Sequence, residues 1–406
     1  MIPPPSSVSS ALLVSSGIDH YFVIRKEQAM NIGITCYPTY GGSGVVATEL
    51  GKALAERGHS VHFISYALPM RLQGFMDNVV FHEVEMSNYP LFDFPLYTLA
   101  LASKMVEVAK YQHLDLFHCH YAIPHATSAY LAKEMLKSDH ISDHIKVITT
   151  LHGTDITLVG LEPSFLPVMK FSIERSDGVT AVSRFLKEKT LTNYNIQKDI
   201  EGIHNFVDTK KYKRNTDHQA REHFAAPEEK ILVHTSNFRP VKRVPDVIRI
   251  FDEVRKKLPS KLIIIGDGPD RSQCEILIRE LGIQDHVKFL GKQTDVIHIL
   301  SLADLFLMPS QSESFGLSAL EAMACGVPVI SSSVGGLPEL QVHGQTGYIA
   351  EIGDIDRMAK YAIDLLSNSS KYELFAKAAR ERAIEFDAQK IVARYEEYYK
   401  KVLSGS

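Results

Sequence analysis

Apolar residues along this chain come in two alternating textures. Short unbroken runs, such as Asn31-Ile-Gly-Ile-Thr35, Ser60-Val-His-Phe-Ile-Ser65, Lys146-Val-Ile-Thr149, Ile231-Leu-Val-His-Thr235 and Leu262-Ile-Ile-Ile-Gly266, have the length of strands buried on both faces. Between them apolar positions recur three and four apart, as in Val45, Leu50, Leu54 and Ala55 ahead of Gly58, which predicts helices. Further strands are expected over 79–84, Leu114–His120, Asp177–Ser183 and Val287–Gly291, and a helix over Leu96–Lys110. Strand, glycine turn and helix follow one another in both halves: Tyr37-Pro-Thr-Tyr-Gly41-Gly42-Ser43-Gly44 after the first strand, Gly266-Asp-Gly268 in the second half. Such alternation predicts an α/β chain with parallel sheets, and 406 residues are enough for two domains with separate cores.

Residues 1–29 do not share the pattern. Met1-Ile-Pro-Pro-Pro-Ser-Ser carries no positive charge, and Ala11-Leu-Leu-Val14 is too short for a secretory core. They are expected to be a non-native or disordered extension ahead of a start at Met30.

The most informative stretch is Glu313-Ser-Phe-Gly-Leu-Ser-Ala-Leu-Glu321. It follows the strand Asp304-Leu-Phe-Leu-Met-Pro309 and runs into a helix marked by Leu317, Leu320, Met323 and Ala324, stopped by Gly326 and Pro328. Glu313 therefore sits on a loop at a strand's carboxyl end, and Glu321 about two turns into the helix. The amides of Ser314, Phe315, Gly316 and Leu317 open that helix, where unpaired N–H groups and the positive end of the macrodipole suit a phosphate. Carboxylates accept hydrogen bonds from sugar hydroxyls and repel phosphate. Together they fit a phosphate flanked by sugars, as in a nucleotide sugar. The plain alternative is a capping glutamate and an unrelated acid in a helix.

Other loops admit more than one chemistry. Gly42, Gly44 and Ala47 match a dinucleotide fingerprint, but the second strand lacks the ribose-binding acid that a nicotinamide enzyme needs. His118-x-His120 points two imidazoles to one face of a strand without a third metal ligand at suitable spacing. His152, before Asp155, has the makings of a general base. The net charge of −4 argues against nucleic-acid binding, no apolar run spans a membrane, and the four cysteines form neither a metal site nor a disulfide framework. A cytoplasmic protein without stable membrane association is expected, and a homo-oligomer is allowed.

Around the two glutamates lie Pro309-Ser310, Ala324-x-Gly326-x-Pro328-Val329, Gly335-Gly336-x-Pro338-Glu339 and Gly344-x-Thr346-Gly347-Tyr348. In this order they resemble the signature of the family-four retaining glycosyltransferases. The resemblance implies a GT-B architecture, two Rossmann-like domains facing across a cleft. Residues 30–205 would form the acceptor domain, joined by a returning helix over 386–403, and 206–385 the nucleotide-sugar domain.

It also implies roles. Glu313 would hold hydroxyls of the transferred sugar, Glu321 the ribose, and the 314–317 amides with Gly44, Asn237, Arg239 and Lys242 the rest of the donor. His120 would face the sugar, making His120, Lys242 and Glu313 the catalytic set, while His118 is a core histidine. Lys242 falls on the family's clamping Lys, but Asn237 stands where the clamping Arg would be, so Arg239 or Arg243 has to supply that charge. Ile34-Thr-Cys-Tyr-Pro38, His118-x-His-Tyr-Ala-Ile-Pro-His-Ala126, Thr149-Thr-Leu-His-Gly-Thr-Asp-Ile-Thr157 and Ser236-Asn-Phe-Arg-x-Val-Lys-Arg243 narrow the resemblance. They are similar to a subgroup moving GlcNAc from UDP-GlcNAc to L-malate in bacillithiol biosynthesis, with no metal and no cofactor. Gly42, Ser43, Gly44, Tyr121, Thr150, His152, Asn237 and Arg239 are then the candidates for malate. The rivals are a family-four enzyme with a lipid or polysaccharide acceptor, for which Tyr89–Met105 is apolar enough, and a nucleotide-sugar binder without turnover.

Overall fold

The computed structural model describes residues 29–39, 41–86, 96–142, 144–157, 159–215 and 218–405. Residues 1–28 of the extension expected over 1–29, and the part of Tyr89–Met105 before residue 96, lie outside the described residues.

Two parallel sheets carry the molecule. The first contains β1 (Asn31–Thr35), β2 (Ser60–Ser65), β3 (Val79–Glu83), β4 (Leu116–His120), β5 (Lys146–Leu151), β6 (Gly178–Ala181) and the short β7 (Glu201–Gly202), in the order 3-2-1-4-5-6-7. The second contains β8 (Lys230–Thr235), β9 (Ser260–Ile265), β10 (Val287–Gly291), β11 (Leu305–Met308), β12 (Val329–Ser332) and β13 (Gly347–Ala350), in the order 10-9-8-11-12-13. Each order reverses direction beside its first strand, β1 or β8. At such a switch point the loops leave the strands' carboxyl ends in opposite directions and open a crevice. The unbroken apolar runs are buried on both faces, as in β11, where Leu305, Phe306, Leu307 and Met308 are all buried.

The chain crosses between the sheets at residues 203–208 and returns near residue 387. The two passages are stitched together: Val207 N donates to Phe386 O at 3.1 Å, and Ala388 N donates to Val207 O at 3.0 Å. The last helix, Ala388–Ser404, packs Ile391, Val392, Tyr395 and Tyr399 into the core behind β1 and β4. Burying such side chains contributes about 1.5–3 kcal/mol each. Tyr399 also places its hydroxyl 2.7 Å from His118 Nδ1, while His118 Nε2 lies 2.6 Å from Thr150 Oγ1. His118 is thus the satisfied core histidine expected from sequence, and it ties the last helix to β4 and β5.

Candidate functional site

The carboxyl ends of both sheets face one cleft. Its larger compartment, about 690 Å³, is lined from the first half by Gly41, Gly42, Ser43, Tyr121, His152 and Thr154. From the second half come Asn237, Arg239, Lys242 and the loop Ser312–Leu317. A contiguous compartment of about 220 Å³ shares Gly42, Asn237, Lys242, Glu313 and Leu317, and adds Gly266, Asp267, Lys292, Gln293 and Glu321.

The segment at the centre is built much as its sequence implies. β11 ends at Met308, Gly316 serves as N-cap with φ +96, and the helix runs Leu317–Ala324. Leu320 N makes the first intrahelical bond, to Gly316 O at 3.0 Å, so the amides of residues 317–319 lack helical partners. Because the helix starts at Leu317, Glu321 lies only about one turn in, not two. Gly335, with φ +56, backs this loop so closely that a Cβ there would lie 1.7 Å from Glu313 O. Glu313 Oε1 takes a charged bond from Lys242 Nζ at 2.7 Å and a second from Ser310 Oγ at 2.8 Å. With the carboxylate only 9% exposed, the bonds fix its direction.

Glu321 is held differently. Its Oε1 accepts from Tyr212 Oη at 2.7 Å and from both terminal nitrogens of Arg71, at 3.2 and 3.3 Å. Arg71 comes from the first half and reaches across the cleft; it and Tyr212 had no signal in the sequence, since they stand 250 and 109 residues from their partner. Arg239 lines the larger compartment, whereas Arg243 turns away to pair with Asp246 at 2.5 Å.

Three expectations are corrected. His120 does not reach the cleft: it is fully buried behind His152, its Nδ1 2.8 Å from His152 Nε2, and His152 lines the wall instead. The side chain of His120 leaves β4 toward the core, and only the loop after β5 brings an imidazole to the surface of the cleft. Thr150 is likewise buried, its hydroxyl spent on His118 and on Thr180 at 2.6 Å. Gly44 lies behind the wall: a Cβ there would fall 2.5 Å from Tyr37 O, so close packing of the helix Gly42–Glu56 against the preceding loop explains the glycine.

Asp155 does not back the His152 ring either. Its carboxylate accepts from the backbone of Gly153 at 2.8 Å, of His152 at 3.3 Å and of Ala122 at 3.4 Å, and so shapes the loop. Burial lifts its pKa to about 6, against the pull of those amides. Among the described residues no three His, Cys, Asp or Glu side chains are grouped to hold a metal. The Asp-x-Asp at Asp354–Asp356 caps a helix, Asp354 Oδ1 accepting from Arg357 N at 3.2 Å.

Burial also holds the histidines neutral: the pKa values of His118 and His152 fall to about 3, those of His125 and His234 to about 4. A depressed folded value means the unfolded chain binds protons first. The stabilising contribution is complete above the unfolded value of about 6.5 and is lost as pH falls towards 3–4. Each such histidine costs on the order of 1 kcal/mol per pH unit below 6; the raised Asp155 acts with opposite sign but is a single group. The melting temperature should therefore drop steeply between pH 7 and pH 5. A flat profile in a thermal melt series would contradict this account of the histidine core.

The comparisons fit this geometry. Residues 40–211 match the family model described as Glycosyltransferase Family 4, and residues 215–382 match Glycosyl transferases group 1. The chain is 50% identical over 376 residues to the N-acetyl-alpha-D-glucosaminyl L-malate synthase of Bacillus anthracis, covering 92% of this chain and 97% of that one. This chain is a family-four glycosyltransferase. Among solved structures, the glycosyltransferase is similar to HepE of Anabaena in complex with UDP and glucose, with a TM-score of 0.75 and 20% identity over 91% of this chain and 99% of that one. It is also similar to sucrose-phosphate synthase from Thermosynechococcus elongatus, with a TM-score of 0.74 and 22% identity over 93% and 100% of the two chains. Both likenesses place the fold as GT-B. Among the described residues of this glycosyltransferase, no helix is long and apolar enough to cross a membrane.

Proposed function

We propose that this glycosyltransferase moves GlcNAc from UDP-GlcNAc to the hydroxyl of L-malate, giving GlcNAc-α-malate and UDP with retention at the anomeric carbon. This is the first step of bacillithiol biosynthesis, carried out in the cytoplasm. The observation that carries the reading is the 50% identity with the Bacillus anthracis synthase along nearly the whole of both chains.

The bond from the anomeric carbon to the diphosphate oxygen breaks and a bond to the malate hydroxyl oxygen forms on the same face. The hydroxyl proton passes to the departing phosphate, so no protein base is required, in keeping with a neutral His152 whose Nε2 is committed to His120. Glu313 orients the sugar hydroxyls, and Glu321 offers the ribose the oxygen that Arg71 and Tyr212 leave open. Lys242, Arg239 and the amides at the start of the helix Leu317–Ala324 stabilise charge on the leaving diphosphate. Malate carboxylates meet Arg239, Asn237, Ser43 and Tyr121, which line the same compartment. With cations and amides on the diphosphate, the reaction proceeds without metal or cofactor.

The deciding experiment is UDP release from UDP-GlcNAc with and without L-malate, in EDTA, with NMR of the anomeric proton. Malate-dependent release giving an α-linked product in EDTA is expected. Stimulation by a lipid or polysaccharide acceptor and not by malate would overturn the acceptor, and UDP-GlcNAc binding without turnover would make the chain a sensor.

A further inference from the structure

The loop between β2 and β3 reaches from the first half to the second. Met70 and Arg71 stand on it and wall the 220 Å³ compartment together with Ser236, Lys292 and Gln293 of the second half. Arg71 adopts a left-handed backbone, φ +66, which a residue with a side chain tolerates only where its surroundings impose it. Leu72 N closes a turn on Pro69 O at 3.1 Å, and Lys52 Nζ, from the helix Gly42–Glu56, donates to Arg71 O at 3.4 Å. The turn sends the guanidinium to Glu321. Arg71 Nη1, Arg71 Nη2 and Tyr212 Oη all donate to Oε1 of that carboxylate, and Nη1 also lies 3.1 Å from Tyr212 Oη. Oε2 takes none of these bonds.

Glu321 is 5% exposed, and its helix neighbours Ala319, Leu320, Ala322 and Met323 are buried and apolar. An ionised carboxylate in such surroundings needs a cation, and hydrogen bonds to set its direction. Among the described residues the cation paired with it comes from the first half. The same pair cancels charge that would otherwise repel a diphosphate in a compartment that Glu321 shares with Lys242. Bonds gathered on one oxygen leave the other to accept from a hydroxyl, and the ribose of a nucleotide offers two. We infer that Arg71 is a positioning residue for the donor: it fixes Glu321, so that ribose recognition by the second half depends on a side chain of the first. This rests on the donor reading given above.

The test uses Arg71→Met, which removes the charge, and Arg71→Lys, which keeps it. Calorimetry would give the affinity of each full-length variant for UDP and for the dideoxy form of UDP, which lacks both ribose hydroxyls, with thermal melting in parallel. The wild-type chain is expected to prefer UDP by about tenfold or more, the worth of a hydrogen bond to a charged group. In Arg71→Met the preference should fall to about twofold, through weaker UDP binding with dideoxy-UDP affinity unchanged, and Arg71→Lys should recover part of it. In a Glu321→Gln background, adding Arg71→Met should change the preference no further, and a further loss there overturns the route through Glu321. Equal losses on both nucleotides make Arg71 a purely structural residue, and tighter UDP binding in Arg71→Met makes the pair a barrier to ribose; either overturns the inference. A wild-type chain that does not distinguish the two nucleotides fails the donor reading and this inference with it. A wild-type preference that persists in Arg71→Met fails this inference alone.

Discussion

Lys242→Met is expected to lower kcat by about 10²–10³-fold, the loss seen when a pre-aligned charge stabiliser is removed from a water-poor site. Two consequences of one substitution add up. Lys242 lines both compartments of the cleft, where a diphosphate bridging them would shed its sugar and would meet its charge. It also holds Glu313 Oε1 at 2.7 Å; without it a carboxylate that is 9% exposed keeps only Ser310 as a partner. A buried carboxylate deprived of its cation is strongly disfavoured, so Glu313 would rotate and no longer orient hydroxyls. The measurement is kcat at saturating donor and acceptor, with UDP affinity alongside. A kcat within threefold of wild type would remove Lys242 from the catalytic set.

Gly153→Ala should cost activity on a similar scale. Gly153 lies in the first half at φ +116, a conformation that a side chain tolerates only with about 1–3 kcal/mol of strain. A Cβ there would also fall 1.6 Å from Ser314 Oγ and 2.7 Å from Ser314 Cβ, on the opposite wall. Rotating the serine hydroxyl does not clear the second contact, so the walls must part. Misplacing reacting groups by about 1 Å costs on the order of 10²-fold in rate, and kcat/KM of Gly153→Ala should fall by about that factor. Adding Ser314→Gly removes both colliding atoms and should recover part of the loss. If the double variant is no better than the single one, local strain explains the defect and the approach of the two walls does not.

Where the sequence could be read and where it could not follows from range. The strands β1, β2, β5, β8 and β9 were legible because a strand buried on both faces has to be apolar throughout. The helix after Glu313 was legible because its apolar spacing and its stop signals are local. The position of Glu321 was off by a turn: Gly316 at positive φ delays the helix start, and backbone conformation at a glycine is not written in neighbouring residue types. The histidines illustrate the limit best. His118-x-His120 shows only that two rings share a face of β4, and that face turns out to be core. Thr150 was misplaced for the same reason.

The sequence by itself determined that this is a two-sheet α/β chain with a phosphate-suited helix start between two carboxylates, in the order of the family-four glycosyltransferases. Those features depend on residues close together, where pattern and chemistry coincide. Only the tertiary structure decided that His152 and not His120 meets the cleft, that Arg239 and not Arg243 is turned towards it, and that Arg71 and Tyr212 hold Glu321. Each of these depends on which residues the packing of two distant halves brings within about 3 Å, the reach of a hydrogen bond. Spacing along a chain carries no record of that distance.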